Sequence, residues 1–163
     1  MGYQVFVSYS EPDRELVDAI REATRSLDIT VYSYDQDPQP GESLREKLLY
    51  QIEESDVVLV ILTHASVSSA AVNHEIGIAI KDGKLVIPVV EKGVRTDRFS
   101  FLDGVEPVIL DRKNPLQTLA RITNRLANLK KKSDRVEIVS VALLAGIAWW
   151  LTRPARDVLR LIG

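Results

Sequence analysis

Hydrophobic positions along the chain fall into short runs that alternate with amphipathic stretches. Five runs are rich in β-branched and aliphatic residues, which is typical of buried strands: 4–10, 29–34, 56–63, 85–90 and 107–110. Between them apolar residues return every three or four positions, which predicts helices at 13–26, 44–54, after residue 69, and 115–132. Predicted strands and helices therefore alternate along residues 4–132.

This alternation predicts an α/β fold: a flavodoxin-like five-stranded parallel sheet of order 2-1-3-4-5 with helices on both faces. In that order the carboxyl ends of strands one and three flank the switch point, where open sheets bind ligands. Strand one ends in Ser8, Tyr9 and Ser10, and strand three leads into the helix that carries Glu75. We expect these two stretches to converge.

The helix after the third strand carries the main candidate for chemistry. Its apolar stripe, which should pack on the sheet, consists of Val72, Ile76, Ala79 and Ile80. Glu75 lies about 100° round the helix from Ile76, at the edge of this stripe, and His74 is expected to face solvent. Spacing alone favours an ordinary solvated glutamate beside an apolar face.

Composition excludes several classes of function. The chain of 163 residues has no cysteine, which excludes disulfides and thiolate chemistry, and its two histidines make a zinc site improbable. A formal net charge of −2 argues against nucleic acid as the main partner. No dinucleotide-binding, P-loop or serine-hydrolase motif occurs. Thr63 stands where a receiver domain would need an aspartate.

The C-terminal part of the chain is organised differently. Residues 138–152 carry no charge, end with both tryptophans and are followed by arginines at 153, 156 and 160. We interpret this run as a membrane anchor, with a buried terminal helix or an oligomer seam as the alternative. The predicted organisation is a domain at 1–132, then a charged linker and hydrophobic helix at 133–163. Because no signal peptide precedes the first strand, we expect a cytoplasmic domain held at the membrane.

Several segments, taken in order, resemble TIR (Toll/interleukin-1 receptor) domains, and residues 72–77 are most similar to those of prokaryotic defence proteins. The run 5–10 resembles their opening strand, 55–62 their third strand, and 35–41 their BB loop, which ends in a similar Pro-Gly. Ser69, six residues before Glu75, matches the family pattern Ser-x-Trp-x-x-x-Glu. Ala71 departs from it, because tryptophan stands there in the family pattern. The resemblance covers about residues 3–130.

The resemblance implies that Glu75 is catalytic in cleaving the nicotinamide–ribose bond of NAD⁺, the substrate, with no cofactor or metal. It implies that the substrate is bound by Ser8, Tyr9, Ser10, Asp35, Asp37, Ser69 and Asn73. It also implies self-association, or association with other TIR domains, through the loop 35–42. Two alternatives stay open: a TIR module that only assembles, which the missing tryptophan favours, and an enzyme like nucleoside deoxyribosyltransferases.

Overall fold

The sheet follows from the five apolar runs. In the computed structural model, which describes residues 2–34, 44–97, 99, 102 and 104–151, the strand order is β2-β1-β3-β4-β5. All neighbouring strands of this sheet are parallel: β1 (Tyr3–Ser8), β2 (Ile29–Tyr32), β3 (Val57–Leu62), β4 (Leu85–Glu91) and β5 (Val108–Leu110). The predicted fold class and strand order are confirmed.

Four α-helices connect or follow these strands within the described residues: α1 (Arg14–Thr24), α2 (Leu44–Glu54), α3 (Ala70–Lys81) and α4 (Pro115–Leu151). A short 3-10 turn (Glu11–Asp13) precedes α1 and contains Pro12 near its start. The sequence predicts that Asp13 caps α1, but its side chain makes no capping hydrogen bond. Its carboxylate is buried and instead accepts a hydrogen bond from the hydroxyl of Thr63, which follows β3 directly.

The core lies on both faces of β3, whose six residues are all fully buried. On one face Phe6, Val58 and Val60 pack with Ile52 of α2 and with α3. Alternate strand residues such as Val5 and Leu59 point to the opposite face. On α1 and α4 the buried apolar residues include Val17, Ile20, Ile122 and Leu126. Burial of one such side chain stabilises the fold by about 1.5–3 kcal/mol, so β3 anchors the sheet.

The buried stripe of α3 differs from the prediction by one residue. Val72, Ile76 and Ala79 are buried as predicted, but Ile80 is 47% exposed and Glu75 is buried in its place. Positions 72, 75, 76 and 79 follow the i, i+3, i+4, i+7 spacing of a single helix face, whereas residue 80 lies about 40° beyond the edge of that face at Ile76. The glutamate therefore belongs to the packed face of the helix.

The last helix is longer than the sequence suggests. The charged residues 130–135, expected to separate two elements, lie inside α4, and Lys130 pairs with Asp134 one turn on at 3.1 Å. No glycine or proline interrupts residues 116–145, so nothing in the sequence stops the helix there. By internal contacts the chain divides into two units, Met1–Leu126 and Ala127–Gly163.

Membrane insertion was predicted for residues 138–152, of which the structure describes 138–151 as part of α4. Across the part of the chain that the structure describes, no helix is long and apolar enough to span a membrane. The arginines at 153, 156 and 160 lie outside the described residues.

Candidate active site

A cavity of about 720 Å³ opens at the carboxyl ends of β1 and β3. Its walls come from the segment after β1, from the residue positions that follow β2, from α2 and from the first turns of α3. The lining residues are Val7, Tyr9, Ser10, Glu11, Arg14, Tyr34, Leu48, Ser69, Ala71, His74 and Glu75. The two stretches that the sheet order was expected to bring together do meet in this cavity.

Glu75 is the buried acid of this cavity. Only 7% of the residue is exposed, because it lies on the packed face of α3. Burial raises the pKa of its carboxyl from 4.5 to about 7, and the nearby Ser8 hydroxyl lowers it in part. No described cation forms an ion pair with this carboxyl. Near neutral pH this carboxyl therefore holds its proton far more readily than a solvated glutamate does.

Ser8 lies beneath the cavity and does not line it. The residue is fully buried, and its hydroxyl makes no hydrogen bond of good geometry to any described residue. Its nearness to Glu75 is nevertheless sufficient to affect the pKa of that carboxyl. A molecule in the cavity would meet Tyr9 and Ser10 before it could meet Ser8.

Of the other residues predicted to bind substrate, Tyr9, Ser10 and Ser69 line the cavity. Ser69 also caps α3, since its hydroxyl accepts a hydrogen bond from the Val72 amide at 3.4 Å. Asn73 is exposed and does not line the cavity, and its side-chain amide donates to the Ser69 carbonyl at 2.8 Å. Asp35 and Asp37 lie outside the described residues, as does the whole of the predicted BB loop, 35–41.

His74 is part of this site. The residue is exposed, as the helix period predicts, but it lines the same cavity as Glu75. Ala71, three residues before His74 on the same side of α3, also lines the cavity. It stands at the position where the resemblance expects tryptophan. A variant of His74 is therefore unsuitable as a control for a variant of Glu75.

The lining residues that were not predicted from the sequence include Arg14, Tyr34 and Leu48. Arg14 opens α1 and forms a two-point ion pair with Glu11, at 2.8 Å for each contact. Tyr34 follows β2 and is 54% exposed, which makes its ring accessible from the cavity. The place of Arg14 just after the end of β1 was a usable indication, because side chains at that edge of the sheet line the switch point.

A second buried carboxylate, Asp13, stands close by but has a full set of partners. It accepts hydrogen bonds from the Thr63 hydroxyl at 2.7 Å and from Arg112 at 2.9 Å. Arg112 also pairs with Glu91 at the end of β4. Through these contacts the segments that follow β1, β3 and β5 are tied together. Ser10, which lines the cavity, lies 3.4 Å from the same carboxylate.

A second, smaller cavity of about 530 Å³ is lined by residues from the loops after β3 and β4, including His64 and Arg95. It contains no buried acid among its lining residues. Across the described ranges, no group of three or more histidine or acidic residues is arranged to hold a metal ion.

Comparison with known proteins agrees with this architecture. A sequence profile of the TIR domain matches residues 5–123. No curated protein sequence matches the chain significantly.

Solved structures share the fold at low sequence identity. The TIR domain of the Toll-related receptor TRR-2 from Hydra magnipapillata is 19% identical with a TM-score of 0.62, over 77% of this chain and 98% of that one. The TIR domains of the activated Roq1 resistosome are 22% identical with a TM-score of 0.52, over 77% and 84%. The CMP N-glycosidase BcmB of Clostridium botulinum is 17% identical with a TM-score of 0.55, over 73% and 97%.

The sheet order, the cavity at its switch point and the profile match over most of the chain lead to one assignment. The protein belongs to the TIR-domain family.

Proposed function

We propose that this chain is a TIR-domain enzyme that cleaves the nicotinamide–ribose bond of NAD⁺. The observation that carries the proposal is Glu75, a buried carboxyl in the wall of a ligand-sized cavity with no cation paired to it. A surface glutamate would be solvated, and a structural buried one would have partners like those of Asp13. An unpaired buried carboxylate is instead suited to meet positive charge brought by a ligand.

The chemistry requires little more than this one group. Nicotinamide leaves NAD⁺ as a neutral amine, so no general acid is needed to protonate it. As the bond breaks, positive charge develops on the ribose, and an ionised Glu75 stabilises it. The stabilisation is large because the carboxylate is fixed in a site that excludes most water. The cationic nicotinamide ring of bound NAD⁺ also favours the charged form of Glu75.

The remaining lining residues have suitable chemistry for the rest of a dinucleotide. Arg14 offers a guanidinium, which binds phosphate oxygens through two parallel hydrogen bonds, and would exchange part of its pairing with Glu11 for them. Tyr34 offers an exposed ring for stacking on a base, a role that Ala71 cannot fill. Tyr9, Ser10 and Ser69 bring hydroxyls to the ribose end of the cavity.

A second activity, cleavage of a nucleoside monophosphate between base and sugar, is favoured by the pKa of Glu75. A pyrimidine base is a poor leaving group, so its departure needs a proton donor. A carboxyl with a pKa of about 7 holds that proton in a large fraction of molecules at neutral pH. The similarity of the fold to a CMP N-glycosidase makes CMP the natural test compound.

Assembly and cellular role are further parts of the proposal. The TIR family and the resemblance to defence proteins support signalling through self-association, with the loop 35–42 as the contact. A purely structural role in such assemblies is the remaining alternative, and Ala71 in place of tryptophan is the observation that favours it.

One assay separates these activities. The full chain, concentrated to favour assembly, is incubated with NAD⁺ or with CMP, and released nicotinamide or cytosine is measured by chromatography. Nicotinamide release from NAD⁺ alone supports the main proposal, and cytosine release from CMP supports the second. Release of neither base under assembled conditions would leave the scaffold role.

A further inference from the structure

The Ser8 hydroxyl is a buried polar group without an obvious structural purpose. The residue is fully buried at the end of β1, and its Oγ finds no hydrogen-bond partner among the described residues. Buried hydroxyls in native proteins are almost always paired, because an unpaired one retains the cost of losing its water. Ser66 and Thr63, at the equivalent end of β3, are both hydrogen-bonded.

The alternation of the strand places this hydroxyl against the site. Phe6 and Ser8 are two positions apart, so they point to the same face of the sheet. Phe6 packs in the cluster that contains Val72 and Ile76 of α3. Ser8 is one step closer to the carboxyl edge on that face, and it lies near enough to Glu75 to lower the pKa of that carboxyl.

The surroundings of Glu75 contain few groups that compete with Ser8. Tyr9, Glu11 and Arg14 reach the cavity from the segment after β1, Tyr34 from the end of β2 and His74 from α3 itself, while α2 contributes the uncharged Leu48. None of the charges among these neighbours is a cause of the raised pKa of Glu75. Burial raises it, and the Ser8 hydroxyl opposes that rise.

We propose that Ser8 is a positioning residue whose hydroxyl donates a hydrogen bond to Glu75 when that carboxyl loses its proton, and so fixes the charged form toward the cavity. A carboxylate accepts hydrogen bonds but donates none, whereas a hydroxyl can rotate to donate. Loss of the proton makes the carboxyl a stronger acceptor with no proton of its own to donate, so in that state the Ser8 hydroxyl is the donor. Because Ser8 does not line the cavity, it acts through Glu75 and not on the substrate.

This inference rests on the proposed function only in assigning the charged form of Glu75 to catalysis. It can be tested without turnover, by following the carboxyl carbon of Glu75 through a pH titration by NMR. The resonance is assigned with the Glu75→Gln variant. In Ser8→Ala the pKa of Glu75 should rise by roughly one pH unit, since a hydrogen bond to a charged group is lost.

A matched control is Ser55→Ala at the opposite end of the sheet. Ser55 is also buried, and its hydroxyl donates to the Ile52 carbonyl at 2.7 Å, far along the strand from the site. This variant should leave the pKa of Glu75 unchanged. Ser8→Cys, which nearly keeps the volume but donates weakly, should shift the pKa in the same direction as Ser8→Ala and serves if the alanine variant does not fold.

If Ser8→Ala and Ser8→Cys both titrate like the wild type, Ser8 does not act on Glu75 and the inference is wrong. If the pKa rises but the wild type releases no nicotinamide from NAD⁺, the inference holds and the proposed function fails. With an active enzyme, Ser8→Ala should move the rising limb of the pH–rate profile to higher pH by the same interval.

Discussion

Asp13 and Glu75 are two buried carboxyls near the carboxyl ends of the same strands, and they have opposite surroundings. Asp13 accepts hydrogen bonds from Thr63 and Arg112, which join segments far apart in the sequence. Glu75 has no ionic partner among the described residues and borders an open cavity. A buried charge with a full set of partners holds the fold together. One without them costs stability, and such a cost is expected at sites of function.

The largest effect on stability should come from breaking the paired acid. Asp13→Ala removes a fully buried carboxylate that accepts hydrogen bonds from the Thr63 hydroxyl and from Arg112, and leaves Arg112 with Glu91 alone. We expect the free energy of unfolding to fall by about 3 kcal/mol or more, measured by urea denaturation. As a control, Asp18→Ala breaks an exposed ion pair with Arg21 and should change stability by less than about 1 kcal/mol. Equal effects of the two variants would contradict the structural role of Asp13.

The same experiment on Glu75 should give the opposite sign. In the unfolded chain its carboxyl ionises near pH 4.5, but in the folded protein only near pH 7. The folded state thus holds the proton longer, and stability is lost as pH rises between these two values. Glu75→Gln should stabilise the protein by about 3 kcal/mol at pH 8 and by almost nothing at pH 4. A destabilised variant at pH 8 would show that the carboxylate has a partner.

Activity should follow the charge of Glu75. If the carboxylate form is required for NAD⁺ cleavage, kcat/KM should rise about tenfold per pH unit below pH 7 and level off above it. The measurement is nicotinamide release between pH 5 and 9, with unfolding checked at each pH. A rate that falls as pH rises through 7 would instead indicate that Glu75 acts as a proton donor, as expected for the CMP reaction.

A smaller effect is expected at Ala71. Because Ala71 lines the cavity, Ala71→Trp places an aromatic ring where the family pattern has one. Stacking on a nicotinamide or adenine ring is worth about 0.5–1.5 kcal/mol, so KM for NAD⁺ should fall roughly threefold to tenfold while kcat changes little. Initial-rate kinetics of wild type and variant test this, with Ala127→Trp on α4 as the control. A raised KM would show that the ring blocks the cavity.

The fold could be predicted from the sequence because its strands and helices are indicated by apolar patterns within short segments. The runs 56–63 and 85–90 are apolar throughout, which is the pattern of parallel strands buried on both faces. The predicted sheet order by itself places Tyr9, Ser10 and Glu75 at one edge of the sheet. The burial of Glu75 was also implicit in the positions 72, 75, 76 and 79, although spacing alone favoured a solvated side chain.

The rest depends on contacts between distant segments. Thr63 and Arg112 lie 50 and 99 residues from Asp13, so no periodicity indicates that the three meet. The run of charges at 130–135 predicts a break in the chain, but α4 continues through these residues. Four of these six residues, the three lysines and Arg135, are good helix formers, and Lys130 pairs with Asp134 along the helix. Charge alone does not end a helix.

The central claim is that the buried carboxyl of Glu75 lowers the stability of the fold but is required for catalysis. One comparison tests it most directly. Nicotinamide release from NAD⁺ is measured at pH 8 for the wild type, Glu75→Gln and the exposed control Glu54→Gln. We expect Glu75→Gln to be folded but at least about 100-fold slower, while Glu54→Gln keeps the wild-type rate. Equal rates for an active wild type and Glu75→Gln would contradict the claim.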